Sequence, residues 1–510
     1  MVMADNDAHQ RIYLKREPRL DVKLRAYSFQ AEALNALKDL EYGAIFHEQG
    51  LGKSKIAIDL MLYWLDKKQV DTVLFICKKG LIKNWQKEFD RHSFIKPKLL
   101  TNDRRSNYYV FNSPARVILT HYEILRSEGE RFRLFLRARN VAVVLDESTK
   151  IKNPDASLTR LLFELSPLFK KRFIMTGTPV SNRPYDIWSQ IYFLDQGNSL
   201  GEDFEEFKEN TDLSNDLYND VDAQERLERN LGGLFSKISG FAVRRTKDNS
   251  LIQLPQKLIH NMETIWENRQ YDIYRQYQID MRATIIKEGI PTQDNADDLL
   301  KRLLRLVQIA SNPRLVDEGY QCTPGKLETL RDLVSSICSK HEKCIIWTSF
   351  VHNVDWLSLE LRTFGACKVH GNLSIDKRNE SIERFINAAD ERVLIATPSS
   401  AKEGLTLTIA NHAIFYDRSF SLDDYLQAQD RIHRISQDKI CHVYNLIMRD
   451  SIDEWVEVLL QAKHLAAMLS QGDISEQYYS GQMSYDFGSM IRSILDIDPD
   501  NRDNSRKDTA

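Results

Sequence analysis

Five short apolar runs between about Ala44 and Thr246 (GAIF, TVLFIC, RVILT, VAVVLD and RFIMTGTP) are separated by stretches of helical periodicity. Each run is continuous rather than alternating and ends in polar or small residues, as strands buried on both faces do. Strand and helix in alternation predict a parallel sheet with crossover helices. The texture returns between about Leu327 and Leu460, in KCIIWTSF, CKVHG, RVLIATP, HAIFYD and HVYNLI. A chain of 510 residues is too long for one core. The expectation is an α/β fold with two parallel sheets in tandem.

From Gly197 to Lys237 and from Glu263 to Gln308 the chain is rich in Glu, Arg and Gln, with apolar residues at helical spacing. YDIYRQYQIDMRATIIK and LLKRLLRLVQIA read as amphipathic helices inserted beside the sheets. The tail DIDPDNRDNSRKDTA has no periodicity and is expected to be disordered. Six cysteines without a CxxC pair argue against a disulfide scaffold or a zinc ribbon and fit a reducing compartment. MVMADNDAHQ lacks the apolar core of a signal peptide, so a cytoplasmic protein is expected. A net charge of −3 announces no global basic field, which leaves room for a local basic cleft.

Chemistry first enters at HEQGLGKSK, His47–Lys55, set between a strand and a helix. In that context backbone N–H groups and a helix N-terminus face an anion, and a lysine reaches the β and γ phosphates. Lys53 and Ser54 stand at the lysine and magnesium-hydroxyl positions, and Gly50 and Gly52 provide backbone freedom that His47 lacks. A bare glycine-bearing turn is the competing reading. Against it, VAVVLDESTK places Asp146 and Glu147 at the end of a buried strand, on the sheet edge that a phosphate loop shares. Asp146 is expected to hold magnesium, and Glu147 to orient and deprotonate the attacking water. In DDYLQAQDRIHRISQ, the spacing predicts a helix with Gln427, Arg431 and Arg434 on one face. A solvated helix face is the bland alternative; an arginine-finger pair is the functional one.

In their order, these motifs resemble those of superfamily-two helicases and, within them, Swi/Snf-type DNA translocases, over roughly residues 22 to 460. HEQGLGKS is similar to that family's DEMGLGKT, and QAQDRIHRISQ to its QAxDRxHRxGQ, with Ser436 in place of a glycine. The resemblance implies two RecA-like lobes, ATP and Mg2+ as cofactors, and Leu51 and Gln30 (in FQAEAL) beside the nucleotide. It implies coupling through Thr176, Gly177 and Thr178 in MTGTP, and a nucleotide-side role for Gly404 in AKEGL. Ala401 and Lys402 stand there instead of the usual glycine pair, and Thr149 departs from the common DEAH. Polymer contacts implied by position are Lys78, Lys79, His121 and Tyr122 in the first lobe, where Lys150 and Lys152 could serve similarly. In the second they are Ser349, His370, Thr397 and Lys402.

The domain expectation is an extension over 1–21, lobe one over 22–250 with an insertion about 197–237, lobe two over 251–460 with one about 263–325, and an extension over 461–510. FAVRRTK…LPQK and LVQIASNP…GKLETL resemble Swi/Snf-type proteins more than helicases in general, and the resemblance places them where that family carries its helical protrusions. The expected function is a monomeric ATP-dependent translocase on duplex or branched DNA. A strand-separating DNA or RNA helicase and a non-hydrolysing binding module are the alternatives. With the lobes using nearly all of the length, the expectation is a compact bacterial or phage-like enzyme.

Overall fold

A computed structural model describes residues 18–213, 217, 220–247, 254–288, 296–400, 407–434 and 436–483, with only the backbone given over 281–288 and 296–300. Lys402, Gly404 and the tail expected to be disordered lie outside the described residues. The chain divides into two compact units. One holds the chain to Asn215 together with Asp222–Gln253 and Ala466–Ser480, and the other is built mainly from Leu254–Leu465.

In the first unit the strands are β1 (Tyr42–Ile45), β2 (Thr72–Cys77), β3 (Lys98–Leu99), β4 (Val117–His121), β5 (Val141–Asp146), β6 (Lys171–Met175) and β7 (Ala242–Val243). They lie in the order β3-β4-β2-β5-β6-β1-β7, every pair parallel. β2, β4, β5 and β6 are buried at every residue, which is why their sequences are unbroken apolar runs. Helices α1 (Ser28–Leu37), α2 (Lys53–Asp66) and α3 (Ile82–His92) cover one face. Trp64, Phe75, Trp85, Phe89 and Phe173 fill the core between. Because the strands are parallel, the loops after β1, β2, β4, β5 and β6 leave from one edge.

The second unit has β8 (Lys257–Thr264), β9 (Cys344–Trp347), β10 (Ala366–Val369), β11 (Val393–Ala396), β12 (His412–Phe415) and β13 (Cys441–Met448), in the order β10-β11-β9-β12-β13-β8 and again all parallel. Apolar clusters cover both of its faces, one around Trp347, Phe385 and Phe415, the other around Val334, Val354 and Tyr416.

The strand runs named from sequence all form strands. LPQKLIHNMET corrects the assignment to helical protrusions: Lys257–Thr264 pairs with β13 over eight residues and begins the second sheet well before Leu327. FAVRRTK likewise supplies edge strand β7. Both lie on sheet edges, where one side is open and the apolar run is broken by charge. The two amphipathic segments are helices, Asn268–Glu288 and Ala296–Ser311. Among the described residues no helix is long and apolar enough to cross a membrane.

Candidate nucleotide site and its polymer-side loops

The loop after β1 turns through Gly50 (φ +88) and Gly52 (φ +74), and Gly52 caps α2. His47 needs no left-handed backbone, so a side chain at that position leaves the turn intact. Leu51 is fully buried under the loop. The Lys53 ammonium is held inside the ring, donating to the carbonyls of His47 (2.9 Å) and Glu48 (3.3 Å). Ser54 is half-buried on the first turn of α2. Gln30 is buried on α1, where its amide donates to the Leu51 carbonyl (3.2 Å) and accepts from the Tyr27 N–H (3.0 Å). Gly52 packs on that amide, leaving no room for a side chain.

His47 itself is buried beside the Phe29 ring. Burial and then the charge of Lys53, with smaller pushes from Arg245 and Arg244 against a pull from the Val243 backbone, take its pKa down to about 4. The folded protein therefore binds fewer protons here than the unfolded chain. Its stability is full above pH 6.5 and is lost as pH falls from there toward 4. Between pH 7 and pH 5 this residue alone should cost about 2 kcal/mol. Urea titrations at both pH values should show that loss in the parent and a smaller one in His47→Gln.

Asp146 ends β5 and is buried. Its Oδ2 accepts a 2.7 Å bond from the Trp85 indole on α3. Burial first, then the charge of Glu147, pushes its carboxyl well above the usual range. Glu147 stands in the left-handed region (φ 53, ψ 56). For a residue with a side chain that costs ~1–3 kcal/mol, a strain typical of functional sites. Its Oε2 is buried without a hydrogen-bond partner among the described residues. Two adjacent acids, one raised and one with an orphaned oxygen, fit a neighbouring divalent cation. Among the described residues no three His, Cys, Asp or Glu side chains could hold one by themselves. Magnesium is commonly held by one or two carboxylates, with substrate phosphates and water completing its shell.

The loop after β6 joins the same edge. Thr176 and Thr178 are buried, the Thr178 N–H donating to Thr176 Oγ1 (3.3 Å). Gly177 lies so close to Gln49 of the phosphate loop that a Cβ would come within 2.7 Å of its Cγ. A segment unremarked as part of this site borders it on the other side. Beyond β7, the N–H of Glu48 donates to the Arg245 carbonyl, and Lys247 bonds Glu48 through N–H (2.8 Å) and ammonium (3.4 Å).

The polymer candidates separate by exposure. Lys79 is exposed and Lys78 half-buried at the end of β2, both open to an anion. Tyr122 is corrected: it is fully buried, and its hydroxyl donates to the Asp146 carbonyl (2.8 Å), so it supports the acid strand from beneath. His121 is buried against Glu123 (2.8 Å). Lys150 is exposed, whereas Lys152 is engaged with Asp186 (3.0 Å). Of the second unit's candidates, Ser349 donates its N–H to Asp417, Thr397 is buried with its hydroxyl on Ser400, and His370 is buried 3.4 Å from Asp355. All three follow C-terminal strand ends.

Gln427, Arg431 and Arg434 do not share a helical face. The helix Leu422–Gln429 ends before both arginines. The chain then tightens into i→i+3 bonds, Arg431 N–H to Ala428 and Ile432 N–H to Gln429, while Arg434 Nε caps the Asp430 carbonyl (3.0 Å). Gln437 anchors the turn by donating to three carbonyls, those of Thr408, Ala410 and Ile432. Gln427 is buried on Asp423 (2.7 Å) and Arg431 is buried, whereas Arg434 is half-buried. Sequence reasoning also missed Trp85, an apolar-face residue whose indole N–H gave no periodic signal.

The family model for the SNF2-related domain matches residues 29–315, and that for the helicase conserved C-terminal domain matches 325–436. The ATP-dependent helicase MG018 of Mycoplasma genitalium is 27% identical over 429 residues, 83% of this chain and 40% of the relative. The ATP-dependent helicase/translocase YwqA of Bacillus subtilis is 27% identical over 477 residues, 88% and 49%. The ISWI chromatin-remodeling complex ATPase ISW2 of Saccharomyces cerevisiae is 25% identical over 502 residues, 93% and 43%. The chain thus spans less than half the length of each of these relatives. With two tandem parallel sheets, a phosphate loop and an acid pair on one edge of the first, and a family model covering more than half of it, the chain belongs to the SNF2-related family of superfamily-two helicases.

Proposed function

We propose that this chain is an ATP-driven translocase on duplex or branched DNA. The observation that carries the reading is the meeting, on one sheet edge, of a glycine-turned loop with its lysine and an acid pair, Asp146 buried and Glu147 in a strained left-handed conformation, in a chain of this family. Lys53 binds the β and γ phosphates, exchanging its bonds to the His47 and Glu48 carbonyls for phosphate oxygens. Ser54 and Asp146 hold magnesium, which supplies charge neutralisation at the phosphates when bound. Glu147 orients the attacking water and takes its proton. Gln30 and Leu51 border the base.

Arg431 and Arg434 are assigned to the γ-phosphate, with Gln427 beside them. The division of labour follows lobe one at 22–250 and lobe two at 251–460. In this reading the lobes close on ATP and part after hydrolysis, a familiar use of ligand-dependent closure. Thr176–Thr178 relay the change, since Gly177 touches the phosphate loop. Lys78, Lys79 and Lys150 grip the backbone in lobe one, and Ser349 and Lys402 do so in lobe two, with the buried His370 and Thr397 shaping the loops that carry the grip. Such a grip is salt-dependent and indifferent to sequence. The names of YwqA, a helicase/translocase, and ISW2, a chromatin-remodeling ATPase, support movement on DNA.

The test is ATP turnover with duplex DNA, single strands and RNA in turn, followed by displacement of a triplex-forming strand. Duplex should stimulate most and the third strand should leave only with ATP. Stimulation by RNA alone, or no turnover above Glu147→Gln, would overturn the reading.

A further inference from the structure

The first unit includes a piece of chain distant in sequence, Ala466–Ser480. It begins with the last turn of the helix Ile452–Ser470 and leaves that helix through a left-handed Gly472 (φ +71) packed near Phe235. Tyr479 is wholly buried, and Ser480 bonds Glu228. At its centre Asp473 takes the Arg244 guanidinium with both oxygens, Oδ1 from Nε at 2.7 Å and Oδ2 from Nη2. Both side chains are close to nine-tenths buried (11% and 12% exposed). The remaining arm of Arg244, Nη1, donates to the Phe46 carbonyl at 2.8 Å.

Phe46 is the last residue before the phosphate loop. Its own N–H bonds the Val243 carbonyl, and two residues on Glu48 bonds Arg245. Arg244 is therefore fixed between the distant segment and the stretch whose next two carbonyls hold Lys53. A planar guanidinium bonded on three sides has one orientation available. Were Asp473 to leave, Arg244 would keep a single partner in a buried place and would turn toward water, taking its bond away from the Phe46 carbonyl and leaving that stretch held by backbone pairing alone.

We propose that Asp473 and Arg244 are positioning residues for the nucleotide site: through them, Ala466–Ser480 latches the entry of the phosphate loop in its binding shape. Whatever pulls that segment away lowers affinity for the nucleotide. The proposal rests on the reading of the loop as an ATP site.

The experiment compares the full chain with Asp473→Asn, which keeps shape but loses charge, and Arg244→Lys, which keeps charge but loses the fork. Ser480→Ala is the control: it removes an exposed bond at the end of the same segment and leaves the Asp473–Arg244 pair in place. Fluorescent mant-ATP binding, KM for ATP, kcat with duplex DNA and melting temperature are read together. The first two variants should weaken mant-ATP binding and raise KM by about tenfold, within the usual range of coupling between sites. Saturating kcat should stay within about twofold of the parent, and Ser480→Ala should match the parent in KM. Parent-like KM and binding in Asp473→Asn, with only the melting temperature lowered, would make the pair a plain structural contact and end the proposal. Failure of the parent itself to bind mant-ATP would instead overturn the ATP-site reading, and the latch with it.

Discussion

Arg431→Ala is expected to reduce DNA-stimulated ATP hydrolysis by about 10³–10⁵-fold, the range for arginines that stabilise charge on a transferred phosphoryl group. The loss should fall on kcat, because such a contact strengthens as charge develops and adds little to ground-state binding. Mant-ATP affinity and DNA affinity should therefore change only a few-fold. The tight turn after Gln429 sharpens the prediction. Arg434 Nε bonds the Asp430 carbonyl, and the Arg431 backbone is pinned at both ends, its N–H on the Ala428 carbonyl and its own carbonyl taking the Leu407 N–H, so the turn fixes where both side chains start. Arg431→Lys should be nearly as impaired, since a flexible ammonium does not reproduce a planar fork. Full-speed hydrolysis in the double variant Arg431→Ala/Arg434→Ala would remove both residues from the mechanism.

Glu147→Gln should lower kcat by about 10²–10⁴-fold, the contribution of a placed general base. Glutamine preserves length and the two polar atoms but cannot accept the proton. It should also ease the repulsion between a buried Asp146 and its neighbouring acid. Without the Glu147 charge, the Asp146 carboxyl falls back toward its ordinary range, leaving burial as the chief force raising it. In magnesium-free buffer the variant should thus melt no lower than the parent, while ATP hydrolysis is nearly gone. Unfolding at lower temperature together with lost activity would point to a structural role for the acid instead.

Much of this follows from local chemistry. Strands such as VAVVLD and TVLFIC announce themselves because burial on both faces demands unbroken apolar residues. Gly50 and Gly52 mark the turn because only glycine enters the left-handed region freely, and Asp146–Glu147 stands out because charge at the end of such a strand needs a reason. Edge strands resisted reading: β7 is two residues long, and β8, KLIHNMET, mixes polar and apolar residues without alternation while its positions alternate between half-buried and exposed.

The amino-acid sequence by itself determined the two sheets, the phosphate loop and the acid pair, since backbone preference and burial act on neighbours along the chain. Only the tertiary structure decided what depends on distant partners. It ended a helix at Gln429, where Gln437 and its three carbonyls favour a tighter turn. It buried Tyr122 beneath Asp146, and it brought Asp473 to Arg244 across more than two hundred residues. Hydrogen bonds between remote segments form only where packing brings their groups together, and no local pattern records them.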